Sequence, residues 1–388
     1  MQFDMVFEGG GAKGMVFVGA LQALESQGHS VGRLLGTSAG AITATLLAAG
    51  YNADEMEQAL NETDTAGKPL FAGFMDPPKA TDFSEADIDT SLTLKLFRQV
   101  DIPIIPERFE EWADQKIIHR LLELKVYPLV FSFVERGGLY AGNAFLEWMR
   151  TKLNEKKPGY GEMTLQQLHD DTQADLSLVI SDTSGGKMRI LNHRTAPDCP
   201  VAWAARMSMS IPFAYQEVIW KGGWGRYRTL DDQGATVANE SELAGHTIVD
   251  GGALSNFPLK MLISGDPSVK AVMGDTAPDR DQVLGLLIDE SLEVPGAPEP
   301  PEESDDDDAG LAGDFKKLRV VQRVNKLIKT MQGAHDKQII AANEELICRL
   351  PAKGYGTMEF DMTDERKHKL VAAGRGAMEE HLEQRQLP

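Results

Sequence analysis

The chain has 388 residues, 42% of them hydrophobic, and a formal net charge of -20. That is enough apolar material for a large core, as one α/β domain or as two or three smaller ones. The acidic balance argues against a nucleic-acid binder, and against simple adhesion to an anionic membrane unless the basic residues cluster.

Met1 to Phe7 lack the basic and apolar regions of a secretory signal, and no apolar run nears the roughly 20 residues that span a bilayer. The expectation is a soluble, cytoplasmic chain, with export by a signal-independent route left open. Two distant cysteines, Cys199 and Cys348, show no metal-ligand spacing and fit a reducing compartment. Residues 3–7 predict a first strand, Gly9 to Gly14 a turn, and Met15 to Gln27 a helix. Val31 to Gly36 predict a second strand, and Ala39 to Ala49 a small-residue helix stopped by Gly50. This order implies a parallel sheet covered on both faces.

Residues 66–136 mix aromatics, Met and Pro with charged stretches (Phe71, Phe74, Met75, then Leu92 to Trp112), and predict a cap over the site. A turn at Gly137 to Gly142 ends it, and a helix follows from Asn143 to Leu153. Leu176–Ser181 and Met188–Leu191 predict strands joined at Gly185-Gly186. Thr247–Val249 and Val283–Ile288 predict two more. Residues 293–310 are proline-rich and then acidic, the composition of a solvated linker. A long helix is predicted over Asp314 to Arg349, with six cations beside an apolar stripe between Phe315 and Met331. A strand near Met358–Phe360 and a helix N-capped by Thr363 close the chain. No internal repeat is visible.

Gly9, Gly11 and Gly14 formally fit a dinucleotide fingerprint. That use needs a carboxylate at the end of the second strand, which instead runs into Leu34-Leu35-Gly36-Thr37-Ser38. A Walker A loop fails too, because Gly14 follows Lys13. The use left is anion stabilisation by main-chain N–H groups at a helix N-terminus, with Gly9, Gly10, Gly11, Ala12, Lys13 and Gly14 as a candidate oxyanion hole. Lys13 would anchor the loop or add positive potential.

Gly36-Thr37-Ser38-Ala39-Gly40 follows an apolar strand and opens a helix of small residues. That context is a nucleophile elbow, in which Gly36 and Gly40 relieve crowding around Ser38. An ordinary α/β-hydrolase is disfavoured, since its nucleophile follows several strands and only 37 residues precede Ser38.

A nucleophilic serine needs a proton acceptor. Asp250 ends an apolar strand and is followed by Gly251 and Gly252, which let backbone and substrate come close. Partial desolvation there would raise its basicity from an unperturbed pKa of about 3.9. A Ser-Asp-His order through His335, His368 or His381 stays open; His29, His119, His169, His193 and His246 are less well placed.

With Ser208-Met209-Ser210-Ile211-Pro212 between elbow and aspartate, the motifs resemble the patatin-like phospholipase family. The Asp250 to Pro258 stretch, with Asn256, is similar to its aspartate motif. Gly138-Leu139-Tyr140 and the segment from Phe360 to Leu382 resemble bacterial members. The resemblance implies a three-layer α/β/α fold with a mainly parallel central sheet, a helical cap insertion and C-terminal helices. It divides the chain into a catalytic domain over 1–292, a linker over 293–310, and a C-terminal helical segment over 311–388 packed on that domain.

By resemblance, Ser38 and Asp250 form a dyad that hydrolyses fatty acyl esters of glycerophospholipids through an acyl-Ser38 intermediate, without metal or cofactor. The partners implied are a phospholipid or other acyl lipid and, transiently, a membrane surface, which makes the chain peripheral when active; a protein activator or an oligomer stays open. The Phe315–Met331 helix and the aromatics at 71–75 are the candidate membrane contacts. Two rivals share the dyad: a soluble esterase or thioesterase, and a latent lipase awaiting an activator.

Overall fold

A segment buried on both faces belongs inside a sheet, and Phe3, Met5, Val6 and Phe7 are all fully buried. They form most of β1 (Gln2–Phe7). The structure, a computed structural model, describes residues 1–65, 67–93, 95, 127–228, 242–274, 279–298 and 336–385. After β1 come a short 3-10 turn (Gly11–Met15), α1 (Val16–Ser26), β2 (Ser30–Gly36) and α2 (Ala39–Ala48). The later strands are β3 (Gly138–Tyr140), β4 (Leu176–Asp182), β5 (Lys187–Leu191), β6 (Phe213–Tyr215), β7 (Val218–Ile219), β8 (Thr247–Asp250), β9 (Val283–Asp289) and β10 (Ile347–Pro351).

The central sheet runs β10-β9-β1-β2-β4-β8-β7, with β5 also on β4. Neighbours from β10 to β4 are parallel, and β5, β8 and β7 add antiparallel pairs. The fold is mixed α/β with a mainly parallel central sheet. β3 and β6 form a separate parallel pair.

Side chains alternate between the two faces, as the period of a strand requires. Phe3, Met5, Phe7, Leu34, Leu178, Ile180, Leu284, Leu286 and Cys348 enter one core, with α1 and α2. Val6, Leu35, Val179, Val283, Leu287 and Ile347 enter the other, under Phe257, Leu259, Leu262, Val269 and Met273. Helical layers therefore cover both faces. α2 is buried all round, which its small and apolar residues permit.

Register brings the ends of two strands together. β5 pairs with β4 over Leu178–Asp182 on one edge. The other edge is shared: β2 pairs with Leu176–Leu178 and β8 with Ile180–Asp182, running the opposite way. β2 and β8 thus point at each other across Val179. Gly36 lies opposite Leu178 and Asp250 opposite Ile180. The chain leaves β2 into Ser38 at the same level at which Asp250 ends β8.

The C-terminal helix Asp364–Gln384, N-capped by Thr363, packs on α1. Glycines make the approach possible. A Cβ on Gly19 would lie 1.8 Å from the Val371 carbonyl oxygen, and one on Gly374 2.1 Å from that of Val16.

Three expectations change. The helix predicted to Arg349 stops early: residues 336–341 are helical, and Ile347–Pro351 is the strand β10, because Ile347, Cys348 and Leu350 complete the sheet beside β9. The segment after 311 is therefore not wholly helical. No strand forms at Met358–Phe360, where the Thr357 carbonyl instead accepts from the Ala12 N–H at 2.9 Å. Within the expected turn at Gly137–Gly142, Gly138–Tyr140 is the strand β3, paired with β6. Residues 96–126 of the predicted cap, the linker from 299 and the basic stretch Phe315–Met331 lie outside the described residues.

Two glycines of the C-terminal helix should respond oppositely to alanine. Gly374→Ala should destabilise by about 1–3 kcal/mol, because a rigid carbonyl occupies the new methyl's space. A Cβ on Gly376 would meet nothing within 4 Å, so Gly376→Ala should stabilise by up to about 1 kcal/mol through helix propensity. Urea unfolding of both variants checks the pair, and equal losses would contradict the glycine-mediated crossing.

Candidate active site

Ser38 stands at the N-terminus of α2 with φ 52° and ψ -118°. A non-glycine residue there is strained, and such strain persists only where the surroundings dictate it. Two close approaches do so. A Cβ on Gly36 would lie 2.2 Å from the Gly40 carbonyl oxygen, and one on Gly40 2.2 Å from that of Phe7. Ser38 therefore sits on a sharp turn from β2 into α2, pressed against the end of β1.

The serine block holds the elbow from behind. The Ser38 N–H donates to Ser208 Oγ at 3.1 Å, and the Ser208 hydroxyl donates to the Val179 carbonyl at 2.7 Å, in the gap between β2 and β8. The Asp250 N–H donates to the Ser210 carbonyl at 2.9 Å. One short segment, ending in Phe213 at φ 67°, therefore braces both candidate catalytic residues.

Ser38 and Asp250 are both buried, at 5% and 4% exposure. Burial raises the Asp250 carboxyl to about 7, against the Ser38 side chain and the Gly252 N–H, which lower it. The Gly252 N–H donates to Oδ1 at 2.7 Å. Oδ2 is buried without a well-formed hydrogen bond. The serine thus neighbours a carboxylate with a free acceptor, in a looser arrangement than a closed hydrogen bond, as resting sites commonly show. Gly251 packs on Val179, where a Cβ would lie 2.4 Å from the carbonyl oxygen.

The candidate oxyanion residues divide by where their N–H groups go. Gly9 donates to the Asn256 carbonyl, Ala12 to that of Thr357, and Lys13 to that of Gly10. Among the described residues no partner takes the N–H groups of Gly10 and Gly11. Gly11 has φ 57°, and a Cβ on it would lie 2.1 Å from the Thr357 oxygen. Gly14 lies against Ala39. Lys13 is buried and its ammonium pairs with Glu290, so it anchors the loop.

No described histidine bonds to Ser38 or Asp250. His29 meets the N-terminal ammonium, His169 stacks on His193, and His246 meets Asp182. His368 is exposed and His381 lines a groove beside β10. His119 and His335 lie outside the described residues. That groove has about 1220 Å³ of free volume, yet holds neither Ser38, Asp250 nor the glycine loop. The cleft at Ser38 has only about 30 Å³ of free volume. Its wall is apolar and includes Phe71, Phe74 and Phe360.

Glu8, between β1 and the glycine loop, was not singled out by sequence. It is half-buried, and loss of solvent raises its carboxyl to about 8 although the Ile288 N–H, the Asn256 side chain and Lys13 lower it. Asn256 Nδ2 donates to Glu8 Oε1 at 3.0 Å and to the Gly9 carbonyl at 2.8 Å. Glu8 and Asn256 therefore tie the glycine loop to the turn after Asp250. The available signal was a carboxylate between an apolar strand and a glycine loop, with no ligand to explain it.

Residues 5–263 match the family model of the patatin-like phospholipases. The chain belongs to the patatin-like phospholipase family. Membership supports a lipid acyl hydrolase. The chain is 28% identical over 391 residues to the uncharacterized protein YqhO of Bacillus subtilis (strain 168), covering 99% of each. Among solved structures it is similar to VipD from Legionella pneumophila, with TM-score 0.46 and 16% identity over 99% of this chain and 67% of that one. ExoU, in complex with SpcU from the type III secretion system of Pseudomonas aeruginosa, gives TM-score 0.41 and 17% identity over 100% of this chain. This chain spans 53% of that ExoU chain.

The raised carboxyl of Glu8 has a consequence for stability. A carboxyl whose folded pKa exceeds its unfolded value favours folding when protonated, and that contribution is lost as pH rises toward the folded pKa. For Glu8 the window runs from 4.5 to about 8. Glu8→Gln, which cannot ionise, should gain stability relative to the parent chain as pH rises across it, whatever constant offset the amide introduces. Denaturant unfolding at pH 5 and pH 8 checks this, and a pH-independent difference would contradict the raised pKa of this carboxyl.

Proposed function

We propose that this family member is a serine lipid acyl hydrolase of the phospholipase A type, with Ser38 as nucleophile and Asp250 as base. The observation that carries the reading is the buried Asp250 carboxyl, raised to about 7 beside the strained Ser38. A base is most effective when its pKa lies near the working pH. An ordinary aspartate would be too weak.

In the proposed cycle Ser38 Oγ attacks the acyl carbonyl carbon while Asp250 Oδ2 takes the hydroxyl proton. The carbonyl oxygen gains negative charge, which the Gly10 and Gly11 N–H groups receive at the start of the helical turn. Asp250 then protonates the departing alcohol oxygen, a lysophospholipid for a phospholipid substrate, and leaves an acyl-Ser38 ester. Asp250 next takes a proton from water, whose hydroxyl adds to that ester. Collapse returns the proton to Ser38 and releases the fatty acid. Lys13 holds the loop, and the Ser208 block, Glu8 and Asn256 hold the parts in register.

Lipid acyl chains must come from an interface, so the reading implies transient contact with a lipid surface by a chain otherwise in the cytoplasm. None of the described helices is long and apolar enough to cross a membrane. The narrow Ser38 cleft favours a second reading, an esterase of short acyl groups with the same dyad. Long chains require the aromatic wall of Phe71, Phe74 and Phe360 to part.

Mixed phospholipid vesicles with mass spectrometry of released fatty acid and lysolipid test the proposal. Ser38→Ala and Asp250→Asn should each lower turnover by about a thousandfold or more. For the parent chain, kcat/KM should rise with pH through about 7, as Asp250 loses the proton that blocks it from acting as a base. Release that survives both substitutions would sink the dyad. Activity on short esters alone would select the second reading.

A further inference from the structure

Asp336 is buried, at 4% exposure, in the helical stretch over 336–341. A buried carboxylate is costly unless hydrogen bonds replace its water. Here they come from one turn. Asp336 Oδ2 accepts from the Asn256 N–H at 2.9 Å and from the Phe257 N–H at 3.0 Å. Oδ1 accepts from the Ser255 hydroxyl at 3.1 Å. The helical stretch is itself anchored, because Ile339 and Ile340 pack on the core that contains Phe257. Asp336 thus grips three consecutive residues of the turn after Asp250. It does so from outside residues 5–263, the stretch that matches the family model.

That turn in turn holds the glycine loop. The Asn256 carbonyl accepts from the Gly9 N–H at 3.2 Å, and Asn256 Nδ2 donates to the Gly9 carbonyl at 2.8 Å. One residue therefore clasps Gly9 on both sides of its Cα. The fit is close: a Cβ on Gly9 would lie 2.3 Å from Asn256 Oδ1 and 3.1 Å from Ser38 Cβ. Any shift of Asn256 is passed to Gly9, and the next two peptide units carry the N–H groups of Gly10 and Gly11. Donors to a developing oxyanion work only when they are fixed in advance.

We infer that Asp336 is a positioning residue for the oxyanion donors, setting the 255–257 turn and, through Asn256, the direction of the Gly10 and Gly11 amides. This rests on the acyl-hydrolase reading above. Such a residue acts on the transition state and not on the wall that binds the acyl chain, so its loss lowers kcat and leaves KM. It also leaves Asp250 as the titrating base.

The test uses p-nitrophenyl esters from acetyl to palmitoyl and follows the one that the parent turns over fastest. The variants are Asp336→Ala, Asp336→Asn, Asp336→Glu, Asn256→Ala and the double alanine variant, with Ser38→Ala as background. Rates are taken per folded molecule, with the folded fraction measured by circular dichroism under assay conditions. Asp336→Ala should lower kcat by about tenfold or more, with KM within about twofold and the pH midpoint of kcat/KM where the parent has it. Asp336→Asn should recover most of the loss, since its amide oxygen can accept from both N–H groups and its NH2 can donate to Ser255. Asn256→Ala should lower kcat in the same way, and the double variant should be little worse than the worse single one, because the two act in series. Should Asp336→Ala fail to fold, Asp336→Glu decides: its longer arm displaces the turn and should cost kcat, and parental kcat overturns the inference. A loss carried by KM, a displaced pH midpoint, parental kcat in Asp336→Ala or losses that simply add also overturn it, and leave the hydrolase reading standing. No Ser38-dependent hydrolysis of any ester by the parent overturns both together.

Discussion

Two strands running toward each other along one edge of β4 set up everything at the site. β2 stops at Leu178 and β8 stops at Ile180, leaving Val179 between their ends. A gap of this kind leaves main-chain groups unpaired inside the protein, which is costly unless something fills them. The Ser208 hydroxyl fills it, accepting from the Ser38 N–H and donating to the Val179 carbonyl. Because β2 exits into the turn at Ser38 and β8 into the Asp250 turn, closing the gap also sets the serine beside the carboxylate. The strain at Ser38 is retained because α2, locked against Phe7 through Gly40, leaves the backbone no other path.

Burial is the second determinant, and it acts twice with the same sign. Asp250 and Glu8 are both pushed toward neutrality by removal from water. Asp250 keeps one oxygen without a settled partner, so a proton can arrive from a neighbour. Glu8 has both oxygens engaged, by Asn256 and by the Ile288 N–H. Similar desolvation therefore produces a group suited to proton transfer in one place and a strut in the other. The difference lies in hydrogen bonds, not in charge.

Sequence was most informative where chemistry forces a residue type into a fixed local shape. A glycine loop after an apolar strand, a serine between glycines opening a helix, and an aspartate followed by glycines could all be read directly. The alternation of apolar residues in β1, β4 and β9 was equally legible. What escaped has a common cause. β10 and β3 are short, and their identity as strands depends on partners distant in sequence, β9 and β6. Glu8 looks like any carboxylate until the fold removes it from water.

The division between loop and wall follows from the same physics. In the proposed reaction, stabilising a negative oxygen and moving a proton tolerate little geometric error, and the groups assigned to them are main chain and short side chains at strand ends, fixed by the sheet register. Recognising an acyl chain tolerates variation, and the cleft wall is assembled from Leu60, Phe71, Phe74, Ile211, Tyr215 and Phe360, which come from far-apart parts of the chain. The Phe360 segment is carried to the site by the C-terminal helix, whose glycine crossing with α1 brings it within reach of the glycine loop through Thr357. A family can therefore keep one reaction while altering its substrate, because changes in the wall leave the strand ends around Val179 undisturbed.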